Sequence, residues 1–456
     1  MDTAQHEDFA AQHDDFALTR VPASHRYHWF TMAIQRFGML SSLASFLIGA
    51  TLGFGMTFGN AVLAITLGAV VLEIVTIFTG IAGQREGLST SVLARWTGFG
   101  RAGSSLIGLA ISVSAIGWFG IQNAVSAQGL HSLIGGLPLW AWSLCFGLAV
   151  TVIVMLGFGS MAWTAYITVP AFLLLAGWSI VVELSRHSLT HLVSAAPAGP
   201  HLSLVLGTSI VAGGFIVGAV IAPDMSRFNR SAKDVVKQTV IGITLGEYVI
   251  GLIGVLLALA LRTNNVIAIV TSTSGFLGTL VIIAATLKIN DWNLYAASLG
   301  IVNFVDQVFG RRVNRAVVTL LIGVVGSALS AAGILGSFTS FLTLLGVVFP
   351  PIAGIMIAEY FITRTWRSDL DATRAVGQLP AYAPAWVPAG LAAWTCAALV
   401  GHYVSWGLPS INSVVVAMIV YLAAGAAGLV RGVGLARTHL AGAPIPAVAP
   451  APTPSH

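Results

Sequence analysis

The sequence predicts an all-α membrane protein that crosses the bilayer many times, and two observations support this. Of the 456 residues, 56% are hydrophobic and 8% are charged, whereas ordinary soluble domains carry about 25% charged residues. A helix needs about 20 consecutive apolar residues to cross the hydrocarbon core of a bilayer. Twelve apolar windows approach or exceed that length, at residues 30–56, 58–82, 102–130, 137–157, 162–184, 202–222, 237–261, 273–300, 313–332, 334–358, 386–404 and 410–430. We therefore expect twelve transmembrane helices.

The distribution of basic residues predicts the topology. Twelve spans place both termini on one side of the membrane. Of the 21 Lys and Arg residues, seventeen fall in the loops and tails of that side, and only Arg186 and Arg262 fall in loops of the other. Because short basic loops resist translocation, both termini are expected in the cytoplasm, with the protein in the inner (plasma) membrane. The basic residues are spread over many short loops, so the sequence pI near 9.5 gives no reason to expect a nucleic-acid partner.

The chain divides by composition into five segments. Residues 1–29 form a polar N-terminal tail with no cleaved signal expected, and residues 30–358 form a ten-helix transport core. A cytoplasmic loop at 359–385 leads to two additional transmembrane helices within 386–430, and residues 431–456, rich in Ala and Pro, are expected to be a disordered cytoplasmic tail. Cys145 and Cys396 lie in apolar runs, which predicts neither a disulfide nor a metal site.

Two of the predicted spans contain small residues that suggest a broken helix. They are Gly38, Ser41, Ser42 and Ser45 in the first span, and Gly213 and Gly214 in the sixth, with Pro223 near its inner end. Unwound backbone inside a bilayer is tolerated only where it lines a cavity or is buried in protein. Breaks at corresponding places in two halves of five spans indicate a substrate site near the midplane. Close helix packing through small residues is the alternative.

The eighth window contains two charged residues, Lys288 and Asp291, within "TLVIIAATLKINDWNLYAASLGIVNF". A charged side chain at the centre of a membrane helix costs about 2.5–3.5 kcal/mol on insertion scales, and such residues are usually functional or paired. The window is therefore a candidate functional segment.

Several stretches, in this order along the chain, carry a resemblance to a known family: "GLSTSVLARWTGFG" (87–100), "GWFGIQNA" (117–124), "APDMSRFNRSAKD" (222–234), "INDWNLYAASLG" (289–300) and "FPPIAGIMIAEY" (349–360). From about residue 20 to about 430 the chain resembles the nucleobase:cation symporter-1 family, with cytosine, purine and hydantoin permeases as its nearest likeness. The resemblance implies the LeuT-type fold, in which two inverted repeats of five helices are followed by two C-terminal helices. It also implies a substrate held between spans one, three, six and eight.

The resemblance assigns the substrate site. A flat heterocycle suits aromatic rings for its faces and carboxamides for its edge. Trp118 and Phe215 match the stacking aromatics, Gln122 and Asn290 match the hydrogen-bonding amides, and Ser42 and Gly214 come from the two interrupted spans. Cytosine permeases carry a glutamine three residues before the tryptophan, where this chain has Ala115. This difference argues against cytosine itself.

The same resemblance places a cation site between spans one and eight. In sodium-coupled relatives the two residues before the span-eight asparagine bear hydroxyl groups, whereas here they are Lys288 and Ile289. Sodium needs oxygen ligands and an ammonium offers none, so we expect that the sodium site is lost and that Lys288, Gly38, Ser42 and Asp291 form the coupling site. Three roles stay open for Lys288: a proton carrier, a fixed charge in place of the cation, or a structural partner of Asp291, Glu73 or Glu247.

The expected function is secondary active import of a nucleobase or a related small cyclic amide or ureide. The coupling ion is expected to be H⁺, with Na⁺ as the alternative, and no cofactor, metal or catalytic residue is expected because no nucleotide-binding motif or nucleophile with a base is present in the sequence. The partners are the small-molecule substrate and the lipid bilayer. The alternatives are a sodium-independent facilitator for the same substrates, or a sodium symporter in which Lys288 is structural.

Overall fold

A computed structural model describes Phe16 and residues 19–156, 161–311, 313–404 and 406–437. The helices of its first half are α1 (Trp29–Leu40), α2 (Leu43–Gly55), α3 (Phe58–Glu86), α4 (Thr90–Leu93), α5 (Gly100–Ile134), α6 (Leu139–Leu156), α7 (Met161–Arg186), α8 (Leu189–Ser194), α9 (Leu204–Val220) and α10 (Ala222–Ser226). Those of the second half are α11 (Ala232–Leu261), α12 (Val266–Phe309), α13 (Arg315–Ala331), α14 (Phe338–Val348), α15 (Pro350–Ile357), α16 (Arg367–Arg374), α17 (Pro388–Tyr403) and α18 (Pro409–Ala426). They are joined by 3-10 helices at Ala23–His25, Ala94–Trp96 and Ile334–Ser337, a π-helical turn at Ala358–Thr363, and strands β1 (Tyr382–Trp386) and β2 (Val433–Arg437).

The long helices have the length and composition of membrane spans. Within the described residues, six are long and apolar enough to cross a bilayer: α3, α5, α11, α12, the run Ile334–Thr363 and α18. The pair α1 and α2 adds a seventh if it counts as one broken span, and shorter apolar helices occupy Leu139–Met155, Leu204–Val220 and Arg315–Ala331. The predicted helical membrane protein is confirmed, whereas the count of twelve spans and their arrangement in two repeats stay predictions.

The first span is broken where the sequence predicts it. Helices α1 and α2 meet at an angle of 59°, and Ser41 and Ser42 between them have non-helical backbone angles. The hydroxyl of Ser45 donates a 2.5 Å hydrogen bond to the carbonyl oxygen of Leu40, one of the groups that the break releases. Gly38 lies inside α1 and is not part of the break. The two flanking leucines, Leu40 and Leu43, belong to different hydrophobic clusters, so the break separates two packed cores.

The predicted break at Gly213 and Gly214 in the sixth span is wrong. Helix α9 continues through both glycines and ends at Val220, and the backbone leaves the helix at Ile221, just before α10. A Cβ atom at position 213 would lie 2.0 Å from the carbonyl oxygen of Leu342, and one at position 214 would lie 2.3 Å from Ile48 Cδ1. The glycines therefore allow close packing against α14 and α2. A glycine costs only about 1 kcal/mol inside a helix, so the pair does not force a break.

Two further differences from the sequence predictions concern irregular segments. Helix α12 begins at Val266 and bends at Gly275, which has a positive φ of 58°, whereas the predicted window began at 273. Strand β2, in the tail expected to be disordered, pairs antiparallel with β1, in the predicted loop. The prediction of a disordered tail is therefore wrong for residues 433–437, which form a strand. Residues 438–456 lie outside the described residues.

The helices pack around the broken span. Helix α11 lies along α1 and α2, and α12 lies along α5. Helix α9 contacts both α3 and α14. Helices α17 and α18 pack against each other and against α15. The broken span therefore packs mainly against α11, and α9 and α12 also contact its second half, α2.

Candidate substrate and ion site

A cavity of about 310 Å³ opens at the break of the first span. Its wall contains Gly38 and Ser42 from the broken span, Phe172 from α7, Phe215 from α9 and Lys288 from α12. Four residues that the sequence assigns to the site, Gly38, Ser42, Phe215 and Lys288, are thus brought together by three separate spans. Gly214 lies in the continuous part of α9 and does not border this cavity.

Trp118 and Gln122 lie one helical turn apart on α5, as the i, i+4 spacing predicts. The Trp118 ring meets the rings of Phe338 and Phe341 edge-on, with centroids 6.1 Å and 5.5 Å apart. Gln122 is 3% exposed, and its Oε1 atom has no hydrogen-bond partner among the described residues. Leaving such an acceptor unsatisfied costs about 1–3 kcal/mol. This oxygen is an unsatisfied acceptor, but neither Trp118 nor Gln122 borders the cavity at the break of the first span.

Asn290 is fully buried between α12 and α5. Its Nδ2 atom donates to the carbonyl oxygen of Phe119 at 3.4 Å, and its Oδ1 atom accepts from Asn293 Nδ2 at 3.4 Å. Both hydrogen bonds are long. The residue thus links two helices here and retains the capacity to exchange these bonds for shorter ones to a ligand.

Lys288 borders the cavity and lies near Asp291, one turn further along α12. The distance from Lys288 Nζ to Asp291 Oδ1 is 3.6 Å, and the two side chains are 17% and 7% exposed. This separation makes an ion pair but exceeds a hydrogen-bond distance. Among the described residues, neither Glu73 nor Glu247 pairs with Lys288. Ile289 also borders the cavity, so the two positions that would supply hydroxyl ligands present an ammonium and an alkyl group instead.

Comparison with known proteins identifies the family. Residues 20–428 match the model of a family described as permeases for cytosine/purines, uracil, thiamine and allantoin. The chain belongs to this family. The permease is 28% identical to the cytosine permease of Escherichia coli (strain K12) over 414 residues, which cover 90% of this chain and 94% of that relative. The predictions of a family member and of a transporter, not an enzyme, are confirmed.

Solved structures show the same fold. The permease resembles the inward-facing conformation of Mhp1 with a TM-score of 0.75 and 21% identity, covering 92% of this chain and 97% of that one. It resembles Mhp1, a nucleobase-cation-symport-1 family transporter, in a closed conformation with bromovinylhydantoin bound, with a TM-score of 0.69 and 21% identity over 91% and 95% of the two chains. The likeness to the fold of Mhp1, a LeuT-fold neighbour, is thereby confirmed, whereas the two inverted repeats of five helices stay a prediction.

Sequence reasoning missed a buried charge cluster at the C-terminal end of α3. The side chain of Glu86 in the permease is completely buried. Arg20 Nη1 donates to it at 2.7 Å, the Tyr360 hydroxyl at 2.6 Å, and Arg374 Nε at 3.1 Å. These contacts tie the segment before α1 and the helix α16 to the end of α3. The residues of this cluster are far apart in sequence, so the sequence alone does not show that they meet. From the sequence, Arg20 and Arg374 therefore predict only the topology.

Proposed function

We propose that this permease is a secondary active transporter that imports a nucleobase or a related small cyclic amide or ureide, with protons as the coupling ion. In this proposal twelve spans cross the inner membrane as two inverted repeats of five plus two C-terminal helices, and both termini are cytoplasmic. The substrate class is supported by the family description and by the hydantoin bound to Mhp1.

The observation that carries the proposal is the position of Lys288. Lys288 borders the cavity at the break of the first span, together with Gly38 and Ser42. The backbone carbonyls that the break releases are suitable acceptors for a cation. Lys288 supplies that positive charge from the protein, in place of the sodium ion of related symporters.

The proposed substrate-binding roles combine Phe215, which borders the cavity, with Trp118, Gln122 and Asn290, which are not part of its lining. Phe215 borders the cavity and offers a ring face for stacking, as Trp118 does on the neighbouring α5. Gln122 Oε1 accepts from the substrate edge, and Asn290 exchanges its long hydrogen bonds for contacts with it. In this proposal Ser42 and the backbone near Gly214 complete the site.

One observation favours a second candidate, a facilitator for the same substrates. The Lys288–Asp291 pair is an ion pair that can stay charged throughout the cycle, and a charge that never titrates cannot by itself couple transport to protons. A sodium symporter with a structural Lys288 is the third candidate.

Uptake into proteoliposomes separates these candidates. The permease is reconstituted and given a panel of radiolabelled nucleobases, hydantoins and ureides, with proton and sodium gradients imposed separately. We expect proton-driven accumulation that is indifferent to sodium and is lost in Lys288→Ala. Lys233→Ala, which changes an exposed cytoplasmic lysine, is the control.

Each other outcome points to another candidate. Uptake that equilibrates but never accumulates would identify a facilitator. Sodium-driven accumulation would refute the replacement of the cation by Lys288. Lys288→Ala leaves the carboxylate of Asp291 unpaired, which can also impair folding. The double variant Lys288→Ala/Asp291→Asn leaves no unpaired carboxylate, so accumulation that is still lost in it reflects loss of coupling and not loss of folding.

A further inference from the structure

Glu247 is a buried carboxyl group that the proposed site does not use. It lies in the middle of α11 and is 2% exposed. None of the described residues donates a hydrogen bond to it or forms an ion pair with it. Its neighbours on the same helix do have polar partners: Thr244 donates to Glu73 Oε1 at 2.7 Å, and Tyr248 makes a hydroxyl contact with Thr66.

The contacts of α11 place Glu247 at the height of the break in the first span. A Cβ atom at Gly246 would lie 2.4 Å from Leu40 Cβ, so residue 246 packs directly against the last residue of α1. Two turns further, a Cβ atom at Gly254 would lie 2.6 Å from the carbonyl oxygen of Phe46 in α2. Helix α11 therefore crosses the break between these two glycines, and Glu247 follows the first of them.

The other charged groups on the helices packed against α11 form no ion pair with Glu247 among the described residues. On α1, Arg36 Nε donates to Gln238 Oε1 at 2.9 Å, while its buried Nη2 has no hydrogen-bond partner among the described residues. On α12, Lys288 pairs with Asp291. On α3, Glu73 accepts from Thr244. Helix α2 contributes no titratable side chain, and towards the outer surface lie Glu183 of α7, which pairs with Arg186 and His187, and His191 of α8.

A carboxylate ion in such a place is costly, because the residue is almost completely removed from water and forms no ion pair with the described residues. A carboxyl group buried without a partner is therefore held as the neutral acid. Helix α1 contacts α11 through Gly242 and Gly246 and belongs to a different hydrophobic cluster from α2. Because the break leaves α1 and α2 without continuous helical hydrogen bonds, α1 can tilt away from α11 and admit water to position 247.

We propose that Glu247 is a proton-binding site of the transport cycle. The carboxyl group is protonated while α1 is packed against α11, and its O–H bond breaks when α1 moves away, with the proton passing to water on the cytoplasmic side. A proton from the outer side later re-forms the acid. The inference rests on the proposed proton coupling and deepens it, since it separates the fixed charge of Lys288 from the group that gains and loses the proton.

The test compares Glu247→Gln with Glu73→Gln in the reconstituted full-length permease. Glutamine mimics the protonated acid at 247, while at 73 it can still accept from Thr244. Labelled hydantoin and cytosine are the probes, and exchange of internal for external substrate reports folding and binding without net proton movement. An inward gradient of one pH unit supports about tenfold accumulation for one coupled proton, since one unit is about 1.4 kcal/mol.

We expect wild type and Glu73→Gln to accumulate substrate with the gradient, and Glu247→Gln to exchange substrate normally but to stop at the external concentration. Glu247→Asp, which keeps a carboxyl group, should regain part of the accumulation. Proton-driven accumulation by Glu247→Gln at the wild-type level would overturn the inference.

A second readout does not depend on transport. Infrared spectra of the purified permease at neutral pH should contain the carbonyl stretch of a protonated carboxylic acid, and this band should be missing in Glu247→Gln and present in Glu73→Gln. A spectrum unchanged by Glu247→Gln would overturn the inference. A wild-type protein that has the band but shows no proton-driven accumulation would instead refute the proposed coupling.

Discussion

The pair formed by Lys288 and Asp291 gives a prediction whose size follows from the structure. At an effective dielectric constant of about 20, two unit charges separated by the observed 3.6 Å attract by about 5 kcal/mol. Desolvation offsets much of this attraction, but removing one partner of a buried pair still costs about 3–5 kcal/mol, because the other charge is left alone. Since Lys288 keeps 17% of its side chain exposed, we expect Lys288→Met to lower the free energy of unfolding by about 3 kcal/mol.

The double variant Lys288→Met/Asp291→Asn removes both charges and should recover most of that loss. Reversible unfolding by SDS in mixed micelles, followed by tryptophan fluorescence, measures the free energies of the wild type, both single variants and the double variant. The reasoning is refuted if Lys288→Met is as stable as the wild type, or if the double variant is no more stable than Lys288→Met. Either result would mean that the two side chains do not share a charge interaction in the folded protein.

Four further predictions test the packing, one surface ion pair and the ion site. Glu86→Gln should lower the free energy of unfolding by about 3–5 kcal/mol because Arg20 and Arg374 lose a buried counter-charge. Asp371→Asn is the exposed control, because 48% of its side chain is accessible and its loss should change the free energy of unfolding by at most about 1 kcal/mol. Equal effects of the two substitutions in SDS unfolding would contradict the value expected for Glu86→Gln. Desolvation raises the pKa of Asp371, but the guanidinium groups of Arg367 and Arg374 outweigh it and lower that pKa. The small contribution of Asp371 to the free energy of unfolding should therefore be present above the unfolded pKa of about 3.9. It should be lost as the pH falls through the folded pKa. Gly213→Ala should lower the free energy of unfolding by about 1–3 kcal/mol, since the added Cβ atom would meet the backbone of Leu342. Gly38→Ala is the control, because a Cβ atom there has nothing within 4 Å and should not destabilise the protein. The same SDS unfolding assay measures both, and equal effects would contradict the packing argument. Lys288→Ser/Ile289→Thr places two hydroxyl groups at the cavity, and uptake that becomes dependent on sodium is expected; continued indifference to sodium would count against the assignment of the ion site.

The membrane fold could be predicted because its signals are local. Apolar windows mark helices without reference to their neighbours, and the break at Ser41 and Ser42 could be predicted because serine hydroxyls can satisfy the backbone groups that a break releases, as Ser45 does for Leu40. The glycines at 213 and 214 misled because glycine serves close packing as readily as it serves a break. Only the partner helix, α14, decides between the two uses, and the partner cannot be inferred from local sequence.

The parts of the molecule that sequence reasoning missed are made by contacts between distant segments. Strands β1 and β2 lie about fifty residues apart, and neither "YAPAW" nor "VGLAR" has the alternation of a half-buried strand. The partners of Glu86 come from residue 20 and from beyond residue 359. At the site, the i, i+4 relation of Trp118 and Gln122 was predictable from helix geometry, whereas the edge-on contacts of Trp118 with Phe338 and Phe341 depend on where α14 packs.

Lys288 and Glu247 lie on two helices, α12 and α11, that both contact the broken span, and the charges that they bring there give the proposed proton coupling a physical reason. The charge of Lys288 is already balanced by Asp291, and none of the described residues forms an ion pair with Glu247, so its ionised form would be a buried, unpaired charge whenever α1 packs against α11. On insertion scales that charge costs about 2.5–3.5 kcal/mol, which reduces the population of the closed, deprotonated state by about a hundredfold, since each 1.4 kcal/mol is tenfold. Protonation of Glu247 from the outer side removes this cost, so the state in which α1 is packed against α11 is restricted largely to the protonated carrier. Glu247→Gln removes this restriction, so the variant should move substrate in both directions without coupling it to protons.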